Sequence, residues 1–200
     1  ANVLNTVKLL EVCKEKKIKK FIFASSIYVH SNLGGLYRVS KKSAELLVEE
    51  YANRSNFKFA IIRFGSVYGP RQSIKNNIAR MVYFALRKKN LIYSGSKTSC
   101  RKFIHVKDVA MVAMQIINKK YNNKVILIEG SKYTKIKNVL NIIKKQLKLF
   151  KKIKFENITS NHYSKSPYSY KEMPENKITI KNAISLNDGI KEVIDYEKKK

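Results

Sequence analysis

Tyr37 and Lys41 stand four residues apart in Tyr37-Arg38-Val39-Ser40-Lys41, a spacing that puts both on one face of a helix. A phenol is a poor base near neutral pH, and a neighbouring ammonium favours its ionised form. The pair can then move a proton to and from a substrate hydroxyl. Upstream, Ser25-Ser26 closes the apolar run Phe21-Ile22-Phe23-Ala24 and offers hydroxyls that can hydrogen-bond a reacting oxygen. Downstream stand Arg63-Phe64-Gly65-Ser66-Val67-Tyr68-Gly69-Pro70-Arg71 and Arg101-Lys102-Phe103-Ile104-His105-Val106. Arginine presents a planar fork of donors that suits phosphate. Tyr and Lys are common residues in this chain, so the order of the flanking segments carries more weight than the pair itself.

Such residues need rigid carriers. Apolar positions 3, 4, 7, 9, 10 and 13 predict a helix over Val3 to Lys14. Phe21 to Ala24 has the continuous apolar character of a buried parallel strand. Helical period returns from Tyr37 to Tyr51, and Phe59 to Phe64 reads as a second buried strand. A helix is expected over Asn77 to Lys89 and a short strand over Leu91 to Tyr93. Phe103 to Val106 reads as a strand that hands over to a helix at Asp108, an acidic residue suited to a helix start. Val125 to Ile128 is a further strand and Ile136 to Leu149 a basic amphipathic helix. Strands alternating with helices imply an α/β fold with a parallel sheet. From Lys151 the pattern breaks into short pieces around Pro167 and Pro174.

Two hundred residues with 44% hydrophobic content suffice for a real core. The longest apolar stretches, such as Val109 to Ile117, are too short to cross a bilayer. The start, Ala1-Asn2-Val3-Leu4-Asn5, shows no signal-peptide pattern and no initiator Met, as expected of a cytoplasmic chain and of a piece of a longer protein. Cys13 and Cys100 read as two reduced thiols, with no disulfide and no metal site. The formal net charge of +28 is the largest departure from average. Its lysines are scattered through every segment, and no nucleic-acid-binding signature accompanies them, so it reads as solvated background and not as a specific nucleic-acid surface.

The ordered motifs resemble the extended short-chain dehydrogenases/reductases that act on nucleotide sugars, of the UDP-glucose 4-epimerase-like kind. They run as a strand ending in Ser25-Ser26, then Tyr37-x-x-x-Lys41, then a strand leading to Val67-Tyr68-Gly69-Pro70-Arg71. Arg101 follows, ahead of Phe103-Ile104-His105-Val106-x-Asp108-Val109-Ala110. Asn2-Val3-x-x-Thr6-x-x-Leu9-Leu10-Glu11 is similar to the helix before the catalytic strand. The resemblance covers about the first 130 residues well. It implies the C-terminal part of a Rossmann-like parallel sheet with helices on both faces, plus a small α/β substrate-binding subdomain. Residues 1–70 and 107–130 would belong to the NAD-binding domain, and 71–106 and 131–200 to the subdomain.

By this resemblance Tyr37 is the general acid/base, and Lys41 holds the nicotinamide ribose while lowering the Tyr pKa. Ser26 hydrogen-bonds the reacting sugar hydroxyl, and Ser25 and Asn2 lie near the cofactor, NAD. Arg101 clamps the diphosphate, Arg71 is a further substrate contact, and Ser66 stands where the family usually has a substrate-contacting Asn. Arg63, His105 and Asp108 read as structural: strand-end packing, a satisfied His and a helix cap. Tyr28 reads as packing in the loop. The implied reaction is NAD-dependent epimerisation of a nucleoside-diphosphate sugar in a homodimer, through a transient keto-sugar. A reductase, a dehydratase, or a non-catalytic remnant needing its N-terminal half are the alternatives. Dehydratases of the family carry acidic residues just after the catalytic Ser or Thr, whereas Ile27, Tyr28 and Val29 follow Ser26.

Two departures stand out. The segment Ile27 to Leu36 is shorter than the substrate-covering loop of many members. Moreover, the seven glycines never reach Gly-x-x-Gly-x-x-Gly, the turn that holds a dinucleotide pyrophosphate at a helix N-terminus. The resemblance puts that turn ahead of these residues, so they are expected not to bind NAD measurably by themselves.

Overall fold

The computed structural model describes residues 2–156, 176–178 and 180–200. The elements run α1 (Asn2–Glu15), β1 (Lys20–Ser26), α2 (Gly35–Ser55), β2 (Lys58–Phe64), β3 (Ser66–Tyr68) and α3 (Asn77–Lys88). Next come β4 (Ile92–Ser94), β5 (Cys100–Arg101), β6 (Phe103–His105), α4 (Val106–Gln115) and β7 (Lys124–Ile128). The last are β8 (Thr134–Lys135), α5 (Ile136–Gln146), β9 (Lys154–Glu156), β10 (Asn176–Lys177) and α6 (Leu186–Lys198). The chain divides into two compact units. The described residues of 1–65, 111–128 and 167–179 form one, and those of 66–110, 129–166 and 180–200 the other.

The first unit is built on a parallel sheet in the order β1-β2-β7-β10. Ala60, Ile61 and Ile62 of β2 and Ile126, Leu127 and Ile128 of β7 are all buried. That two-sided burial is why these strands read as unbroken apolar runs. Phe23, Phe59 and Ile61 pack with Leu10 of α1 and Ala44, Val48 and Ala52 of α2, which fixes both helices against the sheet. Asn56 ends α2 in the left-handed conformation (φ 54°), which Asn tolerates better than most residues. In register, Ser25 lies beside Arg63 and Ser26 beside Phe64, so the serine pair and the arginine share one end of the sheet. Lys20 Nζ donates to the carbonyls of Ile116 (2.6 Å) and Asn118 (3.0 Å) just after α4, a cation at a helix C-terminus.

The second unit joins three two-stranded sheets to a helical core. β3 pairs with β6 and β4 with β9 in parallel, and β5 with β8 in antiparallel fashion. Ile78 and Val82 of α3, Leu140 and Ile143 of α5, and Ile190 and Val193 of α6 form its apolar centre. These are one-sided stripes at helical spacing, with the lysines of α5 on the outside.

Several boundaries differ from expectation. The strand stops at His105 and α4 begins at Val106, so Asp108 lies within its first turn. Asp108 is no cap: it is buried, and its Oδ2 accepts a hydrogen bond from the backbone N–H of Ile184 at 3.1 Å. The helix expected to reach Leu149 ends at Gln146, and Lys148 turns the chain with φ 50°. Pro167 and Pro174 lie outside the described residues. Among the described residues no helix is long and apolar enough to cross a membrane.

Candidate active site

In the first unit, the end of β1 and the opening turns of α2 bring together Asn2, Ser25, Ser26, Tyr37 and Lys41. Gly34 starts α2 at φ 96°, a backbone shape that favours glycine, and a Cβ there would come within 2.8 Å of the Tyr28 ring. That tight approach lets the Tyr28 and Tyr37 rings meet edge to face, with centroids 6.2 Å apart. Tyr28 therefore packs as expected, and what it packs is the candidate base. Tyr37 is 47% exposed, open to a ligand.

One turn on, Lys41 Nζ donates to the carbonyl of Ala24 at 2.8 Å and lies 5.0 Å from the Phe23 ring centroid. The ammonium has three donors, so this bond orients it and leaves others for a ligand. Burial pulls the Lys41 pKa down, and the nearby Glu45 carboxylate pushes it back up. Asn2 Nδ2 donates to Ser40 Oγ (3.0 Å), and Ser40 Oγ donates to the Tyr37 carbonyl (2.9 Å). Asn2 thus braces the turn that carries Tyr37.

The two serines differ. Ser26 Oγ accepts from the Tyr28 N–H at 3.3 Å, capping the short 3-10 turn Ile27–His30, while its hydroxyl proton remains available to donate. Ser25 Oγ is buried with no hydrogen-bond partner among the described residues. A buried hydroxyl of this kind carries a cost that a ligand or water can relieve. Exposed Tyr37, donor-bearing Lys41 and Ser25 fit the ribose end of a dinucleotide. The chain itself holds no glycine turn for the pyrophosphate.

The other three candidates lie in the second unit. Ser66 opens β3 opposite Phe103 of β6. Arg71 is exposed, in the left-handed region at φ 63°. Arg101 is buried in β5, and its Nη1 donates to the Cys100 carbonyl at 2.7 Å. Next to it, Lys102 Nζ and Glu129 Oε1 form a largely buried ion pair at 2.6 Å. His105 is not the fully satisfied side chain expected. Its Nδ1 accepts a long bond from the Lys107 N–H (3.4 Å), but its buried Nε2 has no hydrogen-bond partner among the described residues and lies 3.7 Å from Glu192. Among the described residues, no group of three or more His, Cys, Asp or Glu is placed to hold a metal ion.

Arg63 does more than pack a strand end. Its Nε and Nη2 donate to the two carboxylate oxygens of buried Glu45 at 2.9 and 2.6 Å, and its Nη1 lies 2.7 Å from His30 Nε2. A guanidinium has donors only, so His30 must accept and stay neutral. Burial, then the Arg63 charge, lower the His30 pKa to about 4. Below about pH 6.5 the unfolded chain therefore binds a proton that folded His30 refuses, and stability falls as pH drops from 6.5 toward 4. We expect the thermal midpoint to fall less over that range in His30→Gln, which keeps an acceptor but does not titrate. Parallel curves for the two proteins would rule this out. The interval Tyr37-Lys41-Glu45 held a signal for Glu45, since each step is one helical turn; nothing in the sequence pointed to His30.

A parallel sheet ending in a serine pair, followed by a helix that opens on Tyr-x-x-x-Lys, defines the short-chain dehydrogenase/reductase class of site. The NAD dependent epimerase/dehydratase family matches residues 1–128, and the chain belongs to that family. It is 26% identical over 98% of its length to a Methanocaldococcus jannaschii protein provisionally named UDP-glucose 4-epimerase, of which it covers 69%. It is 25% identical over 99% of its length to the UDP-glucuronate 4-epimerase of Thermodesulfobacterium geofontis, covering 65%. Among solved structures, UDP-glucuronic acid 4-epimerase from Bacillus cereus, in complex with UDP-glucuronic acid and NAD, superposes with a TM-score of 0.80. The identity there is 26%, over 99% of this chain and 67% of that one. The chain thus spans about two thirds of the length of these relatives.

Proposed function

We propose that this chain carries the acid/base and sugar-binding part of an NAD-dependent nucleoside-diphosphate-sugar epimerase. The observation that carries the reading is the exposed Tyr37 one turn from Lys41, whose ammonium is anchored on the strand that ends in Ser25-Ser26. Ser26 donates to the sugar hydroxyl and Tyr37 takes its proton. Lys41, with Ser25, Tyr37 and Asn2, holds the ribose end of NAD. When bound, NAD supplies the hydride acceptor and, after the keto-sugar turns over, the donor to its other face. Tyr37 then returns the proton, so nothing is consumed. Arg101, with Arg71 and Ser66, is the part proposed to bind the diphosphate sugar; a buried arginine suits that task.

The residues after Ser26 favour epimerisation over dehydration, because Ile27 and Val29 are buried apolar side chains and offer no acid. The apolar residues exposed on α1 and α2, among them Leu4, Leu9, Val39 and Leu46, support a homodimer. Two free cysteines suit a cytoplasmic enzyme, and a place in polysaccharide precursor supply follows from the substrate class.

The test uses the protein that carries this chain together with a glycine-rich pyrophosphate turn, given UDP-glucose or UDP-glucuronic acid and NAD. NMR of the sugar protons should show the 4-epimer accumulating to equilibrium with no net change in NADH absorbance. With the 4-keto sugar and NADH supplied instead, stoichiometric NADH consumption in the absence of epimerisation would make it a reductase. Loss of the 6-hydroxyl of UDP-glucose would make it a dehydratase, and no conversion of either sugar would overturn the proposal.

A further inference from the structure

We propose that Glu45, Arg63 and His30 form a positioning network for the Tyr37–Lys41 pair, in which Glu45 sets the charge environment of Lys41 while Arg63 and His30 lock its helix to the serine-bearing turn. The proposal rests on the Tyr37–Lys41 reading given above.

The network touches each carrier of the site. Glu45 sits on α2 one turn beyond Lys41, on the same face. Arg63 ends β2, beside Ser25 in the strand register. His30 closes the 3-10 turn that begins just after Ser26. Lys41 closes the circuit by bonding Ala24, the residue before Ser25. A shift of α2 along the sheet would break both fork bonds of Arg63 and the Lys41 bond together, which is how bidentate pairs confer register.

Burial makes the arrangement stringent. Glu45 is only 4% exposed, and both its oxygens are taken by Arg63. A charge left unpaired in such a place is costly, so the Arg63 fork is what lets the Glu45 carboxylate sit buried one turn from Lys41. The other charged groups that bear on the network are Lys42, which disfavours protonation of His30, and Glu49, whose own pKa burial and Glu45 raise. A merely structural ion pair would fix α2 and leave the ammonium of Lys41 indifferent. A positioning network must be felt at Lys41.

The experiment is a 13Cε-lysine NMR titration of this chain, with the Lys41 resonance assigned by its loss in Lys41→Arg. It reads no turnover, so its failure is separable from failure of the proposed reaction. In Glu45→Gln, Lys41 should titrate at lower pH than in the wild type, because a favourable negative charge has gone while burial remains. Should that variant unfold, Glu45→Gln/Arg63→Met removes both charges, strands neither, and should move Lys41 in the same direction. Glu50→Gln, a charge removed from an exposed site on the same helix, should leave Lys41 in place. Coincident Lys41 curves in wild type and whichever Glu45 variant folds, or an equal shift in Glu50→Gln, would overturn the network.

Discussion

Tyr37→Phe in the turning-over enzyme is expected to lower kcat by about 10² to 10⁴. The change removes one oxygen and its proton and leaves the ring. That ring is what meets Tyr28 edge to face, and Ser40 bonds the Tyr37 carbonyl and not its hydroxyl. The fold should therefore be indifferent, with a thermal midpoint close to the wild type. KM should change little, since uniform binding is left in place. The loss follows from the chemistry. In the proposed reaction hydride leaves a sugar carbon only as the hydroxyl proton leaves its oxygen, and Lys41, held on Ala24, is an acid with no acceptor. Ser26 can orient the oxygen but not ionise it at neutral pH. Turnover within a factor of about three of the wild type would remove Tyr37 from the mechanism.

The sequence showed the parts of this site that depend on local order. Tyr-x-x-x-Lys fixes two side chains on one helix face wherever that helix goes, and the buried strands announce themselves by composition. The parallel sheet followed from alternation, and its register put Ser25 and Ser26 at the end where Tyr37 and Lys41 arrive. What stayed hidden depends on which residues meet across the sheet. Arg63 read as packing because its partner Glu45 is 18 residues away, on a helix whose rotation the periodicity does not specify to one residue. His30 was invisible for the same reason, and its neutral state follows from a donor-only neighbour, not from its own surroundings in the chain. Asp108 looked like a cap because acidic residues favour helix starts; the actual start at Val106 turned it inward to the Ile184 N–H. The short loop Ile27 to Leu36 proved to be half turn, with Ile27 and Val29 buried and Ser26 as its cap.

Arg63→Met should strongly destabilise the first unit, with an expected cost of about 3 to 5 kcal/mol. Methionine fills much of the same volume, so cavity formation is a small part of that figure. The main part is electrostatic. Side-chain exposure is 13% for Arg63 and 5% for Glu45, so water cannot take over the bonds that the guanidinium makes. Glu45 would keep its place on α2 between buried Ala44 and the apolar Leu47 and Val48, with two acceptor oxygens and no donor. His30 would lose its donor as well. At about 2 to 4 °C per kcal/mol for a chain of this size, the thermal midpoint should fall by roughly 6 to 20 °C. Glu45→Gln/Arg63→Met should recover more than half of that loss, because exchanging a buried ion pair for neutral groups is far less costly than breaking it. Differential scanning fluorimetry at pH 7.5 separates the outcomes. A loss below about 1 kcal/mol in the single variant, or no recovery in the double, would mean that Glu45 finds another donor and that the Arg63 fork is not what holds α2 against the serine-bearing strand.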